Sequence, residues 1–525
     1  MFDFIIIGAG SAGCVLANRL SENDMHSVLL LEAGGLDEKQ EIHVPAAFSK
    51  LFKTKVDWNY TTTGQQNAQN RNIYQPRGKV IGGCSSINAM IYIRGNKVDF
   101  DEWEAEGNEG WGYDSVLPYF KKSERQEREA DAYHNENGLL NVADHISPYK
   151  LSKQFINAAR EAGFSANYDF NSGVQEGFGF FQVNQKDGQR HSAADAFLKP
   201  AIGRTNLQVE TNTHVSQIRT ENGRAIAVVY EKEGMVHEIT VQREVILSAG
   251  TFASPQILML SGIGNGEHLR EMGVEVRHHL PGVGQNLHDH PIFPITVSSR
   301  KRKTLDRAET FINLYRYLKK KKGPLTSNIA ESGGFVKTRK NLVAPDIQFL
   351  FAPGFFLNHG FTKPGGSGFS LGPCLLKPES RGWLKLASKK PSVHPLINPN
   401  YLASENDMKT LIAGYKIGTN ILKQDSLKPY FKSWHFPENE MQSDAQIEAF
   451  IRQNVETIYH PVGTCKMGPP SDDSAVVNFE LKVRGLDQLR VVDASIMPSI
   501  VRGNTNAATV MIAEKAADLI KQSHL

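Results

Sequence analysis

The chain has 525 residues, enough to bury a large core and to form roughly two to four domains. A net charge of +3 is too small to argue for nucleic acid, and 40% hydrophobic with 22% charged residues is the balance of a soluble globular protein. Four cysteines, Cys14, Cys84, Cys374 and Cys465, stand far apart without a C-x-x-C pair, which argues against a zinc site or disulfide framework and suits a reducing compartment. No signal peptide precedes the first apolar run, and no stretch of about 18 apolar residues could span a bilayer. The expected location is the cytoplasm, with association to the inner face of the membrane left open.

Phe4 to Ile7 form a short, mostly β-branched run that fits a strand buried on both faces. Gly8, Gly10 and Gly13 follow in G-x-G-x-x-G spacing. The first would permit the tight turn, the second a close approach of backbone to pyrophosphate, the third close helix–sheet packing. From Ser11 and Ala12 the pattern turns helical, with Val15, Leu16 and Leu20 on one side, and the helix would aim its N–H groups at phosphates. A second strand, Val28 to Leu31, ends in Glu32 and Ala33, where the carboxylate can accept ribose hydroxyls. Strand, glycines, helix and acid together predict a dinucleotide site, without choosing between NAD and FAD.

Residues 34–76 are mixed and loop-rich, with aromatics at Trp58, Tyr60 and Tyr74. A glycine-rich block follows from Pro76 to Gly95. Its Arg77, Gly78, Gly82, Gly83, Ser86 and Asn88 could wrap a flat polar ring, or form an ordinary loop. Residues 100–200 read as largely helical. Leu207 to Glu210, Ala225 to Glu231, Glu238 to Val241 and Val245 to Leu247 read as strands, the last leading to a glycine turn and a helix starting near Pro255. His288 and His290 flank Asp289 in metal-ligand fashion, but no further Cys or His cluster supports them, so no metal is expected. Residues 291–450 form a separate antiparallel-rich lobe, with strands such as Asp346 to Phe351 and Trp383 to Leu386. Strand Leu489 to Val492, Asp493 and a helix from about Ala507 to Ile520 close the chain and complete the opening nucleotide fold.

Four blocks in this order resemble the glucose–methanol–choline (GMC) oxidoreductases, a family of FAD enzymes. They are the opening motif with Glu32, residues 78–95, residues 250–264, and the ending from His460 through Asp493 to Asn504. The finer likeness is to bacterial FAD alcohol dehydrogenases and then choline dehydrogenases, through Thr326 to Phe335 and Glu456 to Cys465. The resemblance implies an α/β fold with an α+β second lobe: a Rossmann-like FAD-binding domain (1–150, 200–295, 455–525) interleaved with an antiparallel-sheet substrate-binding domain (151–199, 296–454). It implies FAD held non-covalently, because Ile87 stands where some oxidases tether the flavin through a His. It also implies that Asn88, Ala89, Met90 and Ile91 face the isoalloxazine, that Val215 meets the adenine, and that Asp493, Ala494 and Thr505 lie along the cofactor.

The chemistry so implied is oxidation of a primary alcohol to the aldehyde, with His460 as base and Asn504 holding the alcohol oxygen. Electrons would pass to a quinone or another non-oxygen acceptor. A choline dehydrogenase, an O₂-using oxidase and a hydroxynitrile-lyase-like enzyme remain open. Glu331 and Trp58 are candidate contacts for a trimethylammonium substrate, with a structural carboxylate as the alternative for Glu331. Within Arg300 to Lys322, Phe311, Leu314, Tyr315 and Leu318 form one apolar helical face between basic clusters. That segment reads either as a peripheral membrane contact or as a helix packed on the second lobe.

Overall fold

The computed structural model describes residues 1–524. A seven-stranded sheet carries the opening motif. Its parallel part runs Leu207–Glu210, Val28–Leu31, Phe2–Ile7, the end of Met235–Leu247, then Leu489–Val491. Strands Val28–Leu31 and Leu489–Val491 are buried at every position, as expected where helices cover both faces. The last strand lies beside Val245–Leu247, so the C-terminal segment does complete the nucleotide fold.

The strands read separately at 238–241 and 245–247 are one, Met235–Leu247. Its first half pairs antiparallel with Arg224–Lys232, which pairs with His214–Glu221, a strand the sequence pattern did not suggest. Helix Ser11–Leu20 is buried except at Arg19, whose guanidinium meets buried Glu514 of the last helix at 2.8 Å. That last helix runs Thr505–Ser523, longer than expected at both ends.

Helix Gly250–Leu260 begins five residues before Pro255, so the proline sits inside it rather than at its start. A proline there leaves the carbonyl four residues earlier without its helical donor. That carbonyl belongs to Thr251, and the Thr464 hydroxyl fills the gap at 2.6 Å.

The second sheet is eight-stranded and wholly antiparallel. Phe431–Phe436, Ile295–Ser299, Gly368–Leu375, Ile347–Ala352, Ser332–Val336 and Gly177–Phe180 lie in that order. Pro291–Ile292 joins it and carries Glu456–Thr457 on its other side. Helices Lys150–Glu161 and Glu405–Leu422 pack on this sheet through Phe155, Leu411 and Tyr415. Trp383–Lys385 is a strand, but it pairs only with Leu396–Asn398. Residues 100–200 hold fewer helices than expected. Outside 97–105, 113–123 and 150–161 the chain is mostly loop and short strand, and Gly177–Phe180 alternates glycine with phenylalanine against the sheet. Among the described residues, no helix is long and apolar enough to cross a membrane.

Gly13 shows what the opening motif must satisfy. A Cβ there would lie 1.8 Å from the Gly8 carbonyl oxygen, so strand and helix meet backbone to backbone. Gly13→Ala should therefore push the helix off the sheet, costing at least the ~1–3 kcal/mol typical of overpacking. Thermal denaturation should show a clear fall in Tm together with loss of retained flavin, and an unchanged Tm would refute the close approach.

Candidate active site

A large cavity runs from the C-terminal ends of the parallel strands, at Ile7, Leu31 and Ser248, to the inner face of the second sheet at Leu350 and Leu371. Ligands in open α/β sheets bind outside those strand ends.

At the sheet end Gly8, Gly10, Ser11 and Ala12 line the wall, joined by Glu32, Ala33 and Val215. The helix starting at Ser11 has no side-chain cap and no acid in its first turn, so its N–H groups are free for an anion. A Cβ on Gly10 would meet only the Ser248 carbonyl at 4.0 Å, leaving bare backbone against the cavity. The buried Ser248 hydroxyl lines the same space and has no partner. The Glu32 carboxylate accepts from Ala9 N (2.8 Å) and Gly34 N (2.7 Å). Burial pushes it up to about 7, against the pull of those two N–H groups. An uncapped helix start, bare glycine backbone and an orphaned hydroxyl fit a dinucleotide diphosphate.

Arg77, Gly78, Gly83, Asn88, Ala89, Met90 and Ile91 continue the wall, as do Asp493, Ala494 and Thr505. Asp493 accepts from Gly250 N at 2.8 Å, Ser254 Oγ at 2.6 Å and Ser495 N at 2.8 Å. Gly13, Gly82 and Ser86 stand behind the wall instead. Gly82 donates to Ala9 O at 2.7 Å and Ser86 Oγ to Ile81 O at 2.7 Å, so they shape the loop rather than touch the cavity.

His460 and Asn504 meet where the two sheets face each other. Asn504 Nδ2 lies 3.2 Å from His460 Nε2, and its Oδ1 accepts from Gln348 Nε2 at 3.4 Å. His460 Nδ1 lies 3.0 Å from Nδ1 of His290, whose Nε2 lies 3.0 Å from the Leu376 carbonyl. A carbonyl can only accept, so His290 carries its proton on Nε2 and leaves Nδ1 bare. His460 must then donate from Nδ1, and its unprotonated Nε2 accepts from Asn504 Nδ2 at the cavity wall. Burial holds both rings well below the ordinary imidazole range, His290 at about 3, so the pair is neutral. In the triplet His288–Asp289–His290 all four ring nitrogens have protein partners. His290 orients His460, and His288 donates from Nδ1 to Asn286 O (2.6 Å) while its Nε2 accepts from Ile500 N (2.9 Å).

Three non-glycine residues with left-handed backbone line the cavity: Met90 (φ 58), Ile329 (φ 74) and Tyr459 (φ 72). The β-branched Ile329 pays most for this, on the order of 1–3 kcal/mol. Tyr459 is pinned by Thr457 Oγ1 at its N–H (2.7 Å), by Arg77 at its carbonyl and by His359 at its hydroxyl (2.7 Å), which sets the direction of His460.

Of the two candidate substrate residues, only Trp58 reaches the cavity. Ile329 and Ala330 line the cavity, but Glu331, just before strand Ser332–Val336, does not and is fully buried. There its carboxylate takes Tyr149 N (2.9 Å) and Ser152 Oγ (2.6 Å). Trp58 does line the cavity, but it stacks on Tyr60 beside His214 at the Val215 end, and Lys79 already sits 4.6 Å from its ring centre. Sequence reasoning missed Asp289, His290 and Gln348 as functional groups. The triplet was visible as polar, but its role depends on a carbonyl 86 residues away.

The GMC oxidoreductase family profile matches residues 2–292 with its N-terminal part and 378–513 with its C-terminal part. The alcohol dehydrogenase [acceptor] of Pseudomonas putida is 46% identical over 99% of this chain and 96% of its own. Mouse mitochondrial choline dehydrogenase is 44% identical over 99% and 89%. The Aspergillus oryzae RIB40 formate oxidase structure, studied for its FAD modification, superposes with a TM-score of 0.92 at 28% identity, covering 100% and 98%. The nucleotide cradle and the neutral His–Asn pair between two sheets define a flavin-dependent oxidoreductase. The chain belongs to the GMC oxidoreductase family, and its cofactor is FAD.

If neutral His460 is the working form, the acid limb of kcat/KM should lie below the ordinary histidine value of ~6.5. Activity should hold steady on lowering the pH to that value and fall only beyond it. A limb centred above pH 7 in the pH–rate profile would contradict the neutral pair.

Proposed function

We propose that this protein oxidises neutral primary alcohols, aliphatic or aromatic, to aldehydes. The observation that carries the reading is the unprotonated Nε2 of His460 at the end of a cavity walled by Phe48, Phe52, Ile292, Leu350 and Phe356. Bound FAD supplies the two-electron acceptor for the hydride of the alcohol carbon. His460 Nε2 takes the hydroxyl proton, and Asn504 Nδ2 donates to the oxygen as negative charge develops there. His290 keeps the accepting nitrogen of His460 bare before each turnover. The apolar wall excludes water and orients the carbon. Ile87, buried in the cavity wall, offers no nucleophile, which supports non-covalent FAD. Likeness to an alcohol dehydrogenase [acceptor] favours a quinone or similar electron acceptor over O₂.

Choline is the second reading, and Glu456 is the observation for it. This carboxyl lines the cavity, and burial pushes it up to about 7 with Arg71 opposing. A partly neutral carboxyl is a poor partner for a quaternary ammonium, and Glu331 is turned away.

His460→Ala should retain flavin and lose ~10²-fold or more in the anaerobic rate of flavin reduction, the usual scale for a general base. Asn504→Ala should lose less. Near wild-type reduction by His460→Ala would remove His460 from the mechanism. In a substrate screen with an artificial acceptor, medium-chain primary alcohols should give a higher kcat/KM than choline. Should choline win, and Glu456→Gln abolish that preference, the second reading replaces the first.

A further inference from the structure

The amphipathic helix Phe311–Lys320 does not bury its apolar face. Phe311 is 83% exposed, Ile312 77%, Leu318 61%, Tyr315 59% and Leu314 46%, while Tyr317 alone is buried. A surface helix normally turns such a stripe to the core, and a contiguous outward apolar stripe marks an interaction surface. Its setting is cationic. Arg300–Lys303 precede it, Arg316 lies within it and Lys319–Lys322 end it. The nearby acids are engaged elsewhere. Glu309 pairs with Lys50 at 2.8 Å, and Asp306 accepts from Phe355 N (2.8 Å) and Gly368 N (2.9 Å).

We propose that residues 300–322 are a docking surface for an anionic lipid bilayer. Apolar side chains on one helical face flanked by Lys and Arg match the acyl–headgroup boundary, where the rings and leucines enter and the cations meet lipid phosphates. A second copy of this chain is the poorer occupant, because a two-fold contact would set the same cations against each other.

The helix lies beside the segment that carries Phe48 of the cavity wall. The Tyr317 hydroxyl donates to the His43 carbonyl at 3.3 Å, and Lys50 holds Glu309, both next to the segment carrying Phe48. Leu305 N donates to Pro353 O at 2.7 Å, close in sequence to Phe356. Phe48 and Phe356 line the cavity with ring centroids 6.1 Å apart. Docking through this helix therefore places that wall beside the bilayer, where lipophilic alcohols and acceptors concentrate.

The test is flotation of the FAD-loaded protein with phosphatidylcholine vesicles, with and without phosphatidylglycerol, at low and high salt. Binding should require the anionic lipid and weaken with salt. Changing Lys319–Lys322 to Gln should weaken it by about fivefold per charge removed. Leu314→Ser with Leu318→Ser should abolish it while flavin content and Tm stay at wild-type values. No binding to anionic vesicles at low salt overturns the proposal, as does binding that both variants leave intact. A wild-type dimer in light scattering that the leucine variant converts to monomer would assign the face to self-association instead.

Discussion

The buried carboxylate of Asp289 is the constraint on which the site depends. One oxygen accepts from the backbone N–H of His290 and of His460, each at 2.8 Å. The other accepts from Tyr401 Oη and Thr457 Oγ1, each at 2.5 Å. Four donors from three distant parts of the chain thus converge on a group only 2% exposed. Burial alone raises its pKa, and those donors oppose the shift. Removing any one of them would leave a buried polar group partly unpaired, which costs more than a surface hydrogen bond returns. The carboxylate therefore clamps the loop bearing His290 to the strand end bearing His460 and fixes the spacing of the two rings.

Asn504 shows a different economy. It occupies the N-cap of helix Thr505–Ser523, where an Asn side chain normally accepts from the first turn. No such bond is made here. The amide turns away to His460 and Gln348, leaving the helix start open toward the cavity. Helix stability is given up at this end, and extensive packing of the same helix, with Val510, Met511 and Ile512 fully buried, compensates for it.

The opening of the chain was legible because its information is local. Strand, glycines, helix and Glu32 lie within about thirty residues, and each carries its own physical reason. The antiparallel lobe was legible through alternation, and the His460–Asn504 pair through the family likeness. What escaped depended on distant partners. Pro255 reads as a helix start unless Thr464 is known to satisfy the Thr251 carbonyl. His290 reads as a loop histidine with no assigned role until Leu376 fixes its tautomer. Glu331 reads either as a substrate contact or as a structural carboxylate until its bonds to Tyr149 and Ser152 are known.

Periodicity has a related limit at Phe311–Lys320. A spacing of three and four residues tells which side of a helix is apolar, but not what that side meets. Burial elsewhere follows the pattern: Lys150–Glu161 hides Leu151, Phe155 and Ala158 against the second sheet. The same pattern on Phe311–Lys320 points outward, because the helix is anchored along its flank, through Tyr317, rather than along its stripe. Two neighbouring regions of the molecule thereby acquire opposite electrostatic character. Burial holds His290 and His460 neutral, while the surface around Phe311–Lys320 keeps its lysines and arginines solvated. A neutral substrate can cross that boundary without surrendering the hydration of a charge. Under the proposed reading a neutral alcohol suits the apolar wall better than a quaternary ammonium, which would have to shed its water there.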